Sequence, residues 1–207
     1  MKAYPSITTS IDFSKPYYLF DKLDGSNIRA EWAPKKGFSK FGSRTQLLTP
    51  DQSVLYPSIE AFKEKYNEEL EARFRKAKFE RAVVFFEWLG PNSFAGSHPD
   101  PLDQMDAVVI DIAVYKKGIL PAQKFLDFME GLHHPPVLHK GHISEEKFQS
   151  VRTSTLPGMT FEGVIGKSEE FSQKEGGPIM FKIKSNAWLN KLKEICKGDE
   201  ALYNRLK

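Results

Sequence analysis

The chain has 207 residues, 40% hydrophobic and 28% charged, enough to close a sizeable core in one large domain or two small ones. Its apolar runs fall short of the ~18 residues a membrane-spanning helix needs, and the single cysteine, Cys196, excludes an intramolecular disulfide framework or a cysteine-rich zinc module. A formal net charge of +3 sets no strong overall field, so any preference for anionic partners must lie in where the charges fall.

In chain order, residues 1–10 lack the apolar core of a secretory signal, so a reducing, cytoplasmic location is expected. An apolar run at 17–21 ends at the turn signal Asp24-Gly25, and residues 27–32 then alternate, with Ile28, Ala30 and Trp32 on one side. With a further short strand at 38–41, this opening predicts an antiparallel meander. Residues 59–78 predict the clearest helix, since Ile59, Phe62, Tyr66, Leu70, Phe74 and Ala77 recur at spacings of three and four. Strands follow at 81–89 and 106–115, and Pro121 opens a helix running to about Leu132. Ser144, with Glu145 and Glu146 behind it, starts another helix. Strands at 161–167 and 179–184 flank a Gly-Gly-Pro turn, and Asn186 is expected to cap a last helix that Gly198 interrupts. No repeat or flexible linker divides the chain. The expected class is a single α+β domain, residues 1–207, of antiparallel β-sheets with flanking helices.

The charges are unevenly placed. Residues 1–50 hold eight Lys and Arg against four Asp and Glu, residues 178–207 hold seven against three, and the stretch between is net −5. If folding joins the two ends, they make one basic face suited to a nucleotide or nucleic acid; solvated lysines are the plainer alternative.

Five short segments carry candidate chemistry. In Lys22-Leu23-Asp24-Gly25-Ser26-Asn27, a lysine closes an apolar strand just before a tight turn, the place for a nucleophile or merely a hairpin. A free lysine titrates near ~10.4, so attack would need neighbouring cations to depress it. Arg44, in Ser43-Arg44-Thr45, could clasp a phosphate or ribose edge, although a surface arginine after a turn explains it equally. Glu87 stands among Phe and Trp in Phe85-Phe86-Glu87-Trp88-Leu89, where a buried carboxylate needs a partner and an edge-strand glutamate does not. Glu162, before Gly163, is a hard oxygen donor beside a point of close approach and suits Mg²⁺. Lys182 and Lys184 alternate onto one strand face.

Taken together, K-x-D-G, F-x-E, E-G-V-I and K-x-K in this order resemble the covalent nucleotidyltransferase superfamily of polynucleotide ligases and capping enzymes, from about Leu19 to Lys184. The resemblance implies an ATP-grasp-like nucleotidyltransferase domain of the ligase type. It gives Lys22 the role of forming a lysyl–AMP bond, and Glu87 contact with the nucleoside sugar. Glu162 falls at the metal, Mg²⁺ with Mn²⁺ able to substitute. Lys182 and Lys184 fall at the phosphates, with Lys184 also serving the chemistry. Asn27, where DNA ligases carry arginine, is similar to the phage nick-sealing RNA ligases of the RNA ligase 2 type, as are Ser43-Arg44-Thr45 and the spacings of 22 and 65 residues from Lys22 to Arg44 and Glu87. Asp24 is more like a DNA ligase. Asp21, Asn27 and Arg44 are then expected at the nucleotide. No aromatic side chain follows F-x-E in Ala107-Val108-Val109-Ile110-Asp111-Ile112, so Val108 or Ile110 is expected to cover the adenine.

The implied activity is ATP-dependent RNA joining, with RNA or a nicked duplex as partner. A DNA ligase, a capping-type GTP transferase and a silent nucleic-acid-binding domain are the alternatives. Neither an OB-fold nor a helical second domain is expected after the last motif. The chain is expected to be monomeric, unless a partner replaces that domain. Four histidines, His133, His134, His139 and His142, could share a zinc ion but read better as a proline-containing surface connection. His98 reads as a loop residue near the site, and Cys196 as core.

Overall fold

The first two strands, β1 (Tyr17–Lys22) and β2 (Ser26–Ala33), do not pair as a meander but lie in different sheets. Polarity is the reason. Tyr17 and Leu19 pack into one apolar cluster and Tyr18 and Phe20 into another, so β1 needs cover on both faces and becomes an interior strand. The computed structural model describes residues 1–50, 54–90, 105–173 and 176–207; His98 lies outside them.

β2 belongs to a five-stranded antiparallel sheet with β3 (Gly37–Gly42), β4 (Ala82–Leu89), β5 (Asp106–Val114) and β6 (Gly118–Ile119), in the order β3-β2-β4-β5-β6. β1 belongs to a four-stranded antiparallel sheet with β7 (Val137–Gly141), β8 (Gly163–Ser172) and β9 (Gly177–Lys184), in the order β7-β1-β8-β9. β7 corrects the expected surface connection. Val-Leu-His-Lys after two prolines forms an edge strand, where half-exposed polar side chains are tolerated.

Helix α1 (Pro57–Lys76) covers the five-stranded sheet with the stripe its periodicity predicts. Phe62 packs on Phe86 at 4.8 Å and on Phe38 at 5.1 Å, and Phe74 meets Trp32 at 5.3 Å. Each such buried ring adds about 1.5–3 kcal/mol of apolar transfer. α2 (Ala122–Phe128) stops short of Leu132, at Met129, because Gly131 turns the backbone to φ +74. α3 (Glu145–Arg152) starts as expected, with Ser144 Oγ accepting from the Lys147 amide. α4 (Asn186–Cys196) is capped by Ser185 rather than Asn186, and Lys197 with Gly198 separates it from α5 (Glu200–Leu206).

The first and last thirds of the chain do meet. The Lys182 amide donates to the Thr8 carbonyl at 2.8 Å, which lays residues 4–8 along β9. No helix among the described residues is long and apolar enough to cross a membrane.

Candidate active site

Lys22 ends β1 where the chain crosses from one sheet to the other, so its side chain enters the cleft between them. The Asp24-Gly25 turn fixes that crossing. A Cβ on Gly25 would stand 2.5 Å from the Trp88 carbonyl oxygen and 2.9 Å from Glu87 Cγ, so only glycine lets the turn press against β4. Asp24 is buried, and its carboxylate accepts from the Trp188 indole of α4 at 3.1 Å.

Glu162 sits opposite, just before β8 rather than inside the predicted strand. Gly163 has φ +139, and a Cβ there would be 2.0 Å from the Ile183 carbonyl, which explains the Glu-Gly pair. Ser185 locks the segment: its amide donates to the Glu162 carbonyl at 2.9 Å and its hydroxyl to the Phe161 carbonyl at 2.7 Å. Lys22 Nζ lies 2.6 Å from Glu162 Oε2, and Lys184 Nζ lies 3.0 Å from Oε1. One buried carboxylate thus holds two ammonium groups, and the Lys184 ammonium also stands 3.4 Å from the centre of the Trp188 ring.

These neighbours divide the lysines electrostatically. Burial depresses Lys184 to about 8, against the pull of Glu162, and likewise lowers Lys182. Burial also opposes charge on Lys22, but Glu162, Glu87 and Asp24 outweigh it and hold Lys22 above the ordinary lysine value. The expected depression therefore falls on Lys184 and Lys182, whereas Lys22 rests as an ammonium.

The remaining expected residues surround a cavity of about 290 Å³ lined by Lys22, Asn27, Arg44, Glu87, Lys182 and Lys184. Glu87 is directly across from Asn27 in the β2–β4 register, whose amide approaches it at 3.5 Å, and burial lifts its carboxyl to about 7. Asp21 also lines the cavity, with both oxygens held by the Thr160 amide and hydroxyl at 3.0 and 2.8 Å. Ile110 is the extra residue of a β-bulge in β5 and faces this cavity, whereas Val108 lines a neighbouring one with His133 and His134.

Three cavity residues went unread in the sequence: Tyr4, Asp111 and Lys167. Asp111 on β5 and Lys167 on β8 form an ion pair of 2.5 Å across the two sheets, each only 2% exposed, and the Tyr4 hydroxyl donates to Asp111 at 3.0 Å. A charged residue inside each apolar strand was the available signal.

Among the described residues no group of three or more His, Cys, Asp or Glu gathers as a metal site, so the four histidines do not assemble one. Glu162 offers hard oxygens beside the cavity, which suits a Mg²⁺-type ion that completes its shell with phosphates and water.

The family model described as RNA ligase matches residues 15–184. Among solved structures, the chain is similar to a Naegleria gruberi RNA ligase variant with ATP and Mn, with TM-score 0.64, 18% identity, and coverage of 87% of this chain and 52% of that one. A Naegleria gruberi RNA ligase variant with AMP and Mn matches at TM-score 0.63 and 16% identity, covering 86% and 52%. An apo variant matches at TM-score 0.63 and 17% identity, covering 91% and 59%. The chain therefore spans about half the length of the structures it matches. No curated protein matches it.

Proposed function

Because this chain belongs to the RNA ligase family, we propose that it is an ATP-dependent RNA ligase domain that joins 5′-phosphate and 3′-hydroxyl ends through a lysyl–AMP intermediate. The observation that carries the reading is the single buried carboxylate, Glu162, shared by Lys22 at 2.6 Å and Lys184 at 3.0 Å beside the cavity. Naegleria gruberi RNA ligase, similar in fold, has been solved with ATP and Mn.

Lys22 gives up one proton before its nitrogen can attack, and Glu162 is the group in reach to accept it. The Nζ–phosphorus bond then forms as the bond from the α-phosphorus to its bridging oxygen breaks, and pyrophosphate leaves with that electron pair. Lys182 and Lys184 supply positive charge for the phosphates, and Glu87 with Asn27 offers polar groups to the sugar. Glu162 would hold a divalent cation, Mg²⁺ or Mn²⁺, which contributes charge neutralisation at the phosphates. The AMP then passes to an RNA 5′-phosphate, and a 3′-hydroxyl displaces it, as in nick-sealing enzymes. A cytoplasmic monomer is the state we assign; the buried thiol of Cys196 is consistent with it.

The test is incubation with α-labelled ATP or GTP, then denaturing electrophoresis. Label from ATP on the wild type and none on Lys22→Ala is expected. Label from GTP alone would point to capping chemistry, and no label on folded protein would leave only a nucleic-acid-binding role.

A further inference from the structure

Helix α5 brings to the site a cation that none of the five sequence motifs includes. Arg205, Leu206 and Lys207 line the same cavity as Lys22, Lys182 and Lys184. The Lys207 carbonyl accepts from Lys182 Nζ at 3.0 Å, and the Leu206 carbonyl from Lys184 Nζ at 3.5 Å. The last turn of α5 thus fills the acceptor positions of two lysines buried enough to be depressed. Arg205, on that same turn, is exposed at the cavity and makes no side-chain hydrogen bond or ion pair with another described residue. Its position is not loose. Asp199 caps α5 by accepting from the Leu202 amide at 2.9 Å, while Leu202, Tyr203 and Leu206 pack on Trp188, Leu192 and Cys196.

Direction decides what Arg205 would meet. Lys184 lies between Glu162, shared with Lys22, on one side and α5 on the other. In an in-line displacement the leaving group departs from the face of the phosphorus opposite the nucleophile. With Lys22 as the nucleophile, the far side of the lysine pair is the α5 side. Neutral carbonyls are weaker acceptors than phosphate oxygens, so an arriving polyphosphate displaces them from Lys182 and Lys184. The guanidinium offers the forked donors that match two phosphate oxygens at once.

We propose that Arg205 binds the terminal two phosphates of the nucleoside triphosphate and steadies the pyrophosphate as it leaves Lys22. This rests on the ligase reading of the site and names a further residue for it, one that serves the first step only.

The test compares wild type with Arg205→Ala and Arg205→Lys, after melting curves show all three folded. Arg205→Ala is expected to slow AMP labelling from sub-saturating ATP about tenfold or more, as loss of a charged hydrogen bond commonly does, with Arg205→Lys between. Discharge of the labelled protein by added pyrophosphate should slow in parallel. Joining of RNA already carrying a 5′-adenylyl group, which releases no pyrophosphate, should fall by less than about threefold. Equal losses in labelling and joining would make Arg205 an RNA contact, and unchanged labelling would make it a surface arginine; either overturns the proposal. Inorganic tripolyphosphate supplies an arm independent of any chemistry. It should raise the melting temperature of wild type more than that of Arg205→Ala, and equal shifts would again overturn the proposal. A wild type that never labels while this difference persists would defeat the ligase reading and leave the phosphate site standing.

Discussion

Burial lifts the Glu87 carboxyl to about 7, well above the value it would have in an unfolded chain, so ionising it within the fold costs stability. The folded state holds this proton longer than the unfolded state. Stability from Glu87 is therefore lost as pH rises from about 4.5 towards 7, and the loss stays constant above that. Glu87→Gln should be more stable than wild type at pH 8, by up to roughly 3 kcal/mol, with the difference closing towards pH 4.5. Chemical denaturation across that range checks it, and a gap that widens on acidification would contradict it. Glu87 was legible because a carboxylate between Phe86 and Trp88 cannot be ordinary strand surface. Asp111 and Lys167 carried the same signature, yet their sense lies in each other, 56 residues apart in sequence and 2.5 Å apart across the sheets. Sequence shows that a buried charge needs a partner but not which one. Asp111→Ala strands an ammonium among Phe20 and Phe125 and should cost about 3–5 kcal/mol; adding Lys167→Met should recover much of it, as a double-mutant cycle by urea denaturation will read.

Elements were legible in proportion to their local signal. The stripe of α1 is set by its own side chains, so periodicity alone found it. Partnering is a different matter: β1 and β2 are strands by composition, but the sheet each joins is decided by apolar cover that arrives from β7 and β8 more than a hundred residues later. The cap of α4 shows the same divide at smaller scale. Asn186 and Ser185 are both good caps by type, and Ser185 prevails because its hydroxyl also reaches the Phe161 carbonyl while its amide holds Glu162. Ser185→Ala should therefore cost about 1–2 kcal/mol in stability and slow AMP labelling as well. Asn186→Ala should alter neither appreciably. Melting curves and labelling rates of the two variants make the comparison, and equal effects would place the cap where the sequence first suggests.

For the whole molecule, the contact between Thr8 and β9 joins the two basic ends of the chain on one side. Grip on RNA by such a face comes mostly from phosphates and weakens steeply with salt, each neutralised phosphate releasing about 0.7–0.9 counterions. Labelling with AMP takes place inside the cleft and should depend on salt far less. Raising NaCl from about 50 to 200 mM is expected to suppress strand joining well before labelling, and a nicked duplex should outlast free single strands; parallel loss would contradict the picture. The crossing of the backbone at Lys22 has a mechanical consequence. A nucleotide lodged there touches both sheets and works as a fastener across a seam, its binding energy adding directly to the cohesion of the halves. The charged enzyme should then be stiffer than the spent one, with slower hydrogen exchange along residues 22–26. Handing on the nucleotide and loosening the grip on product become a single event.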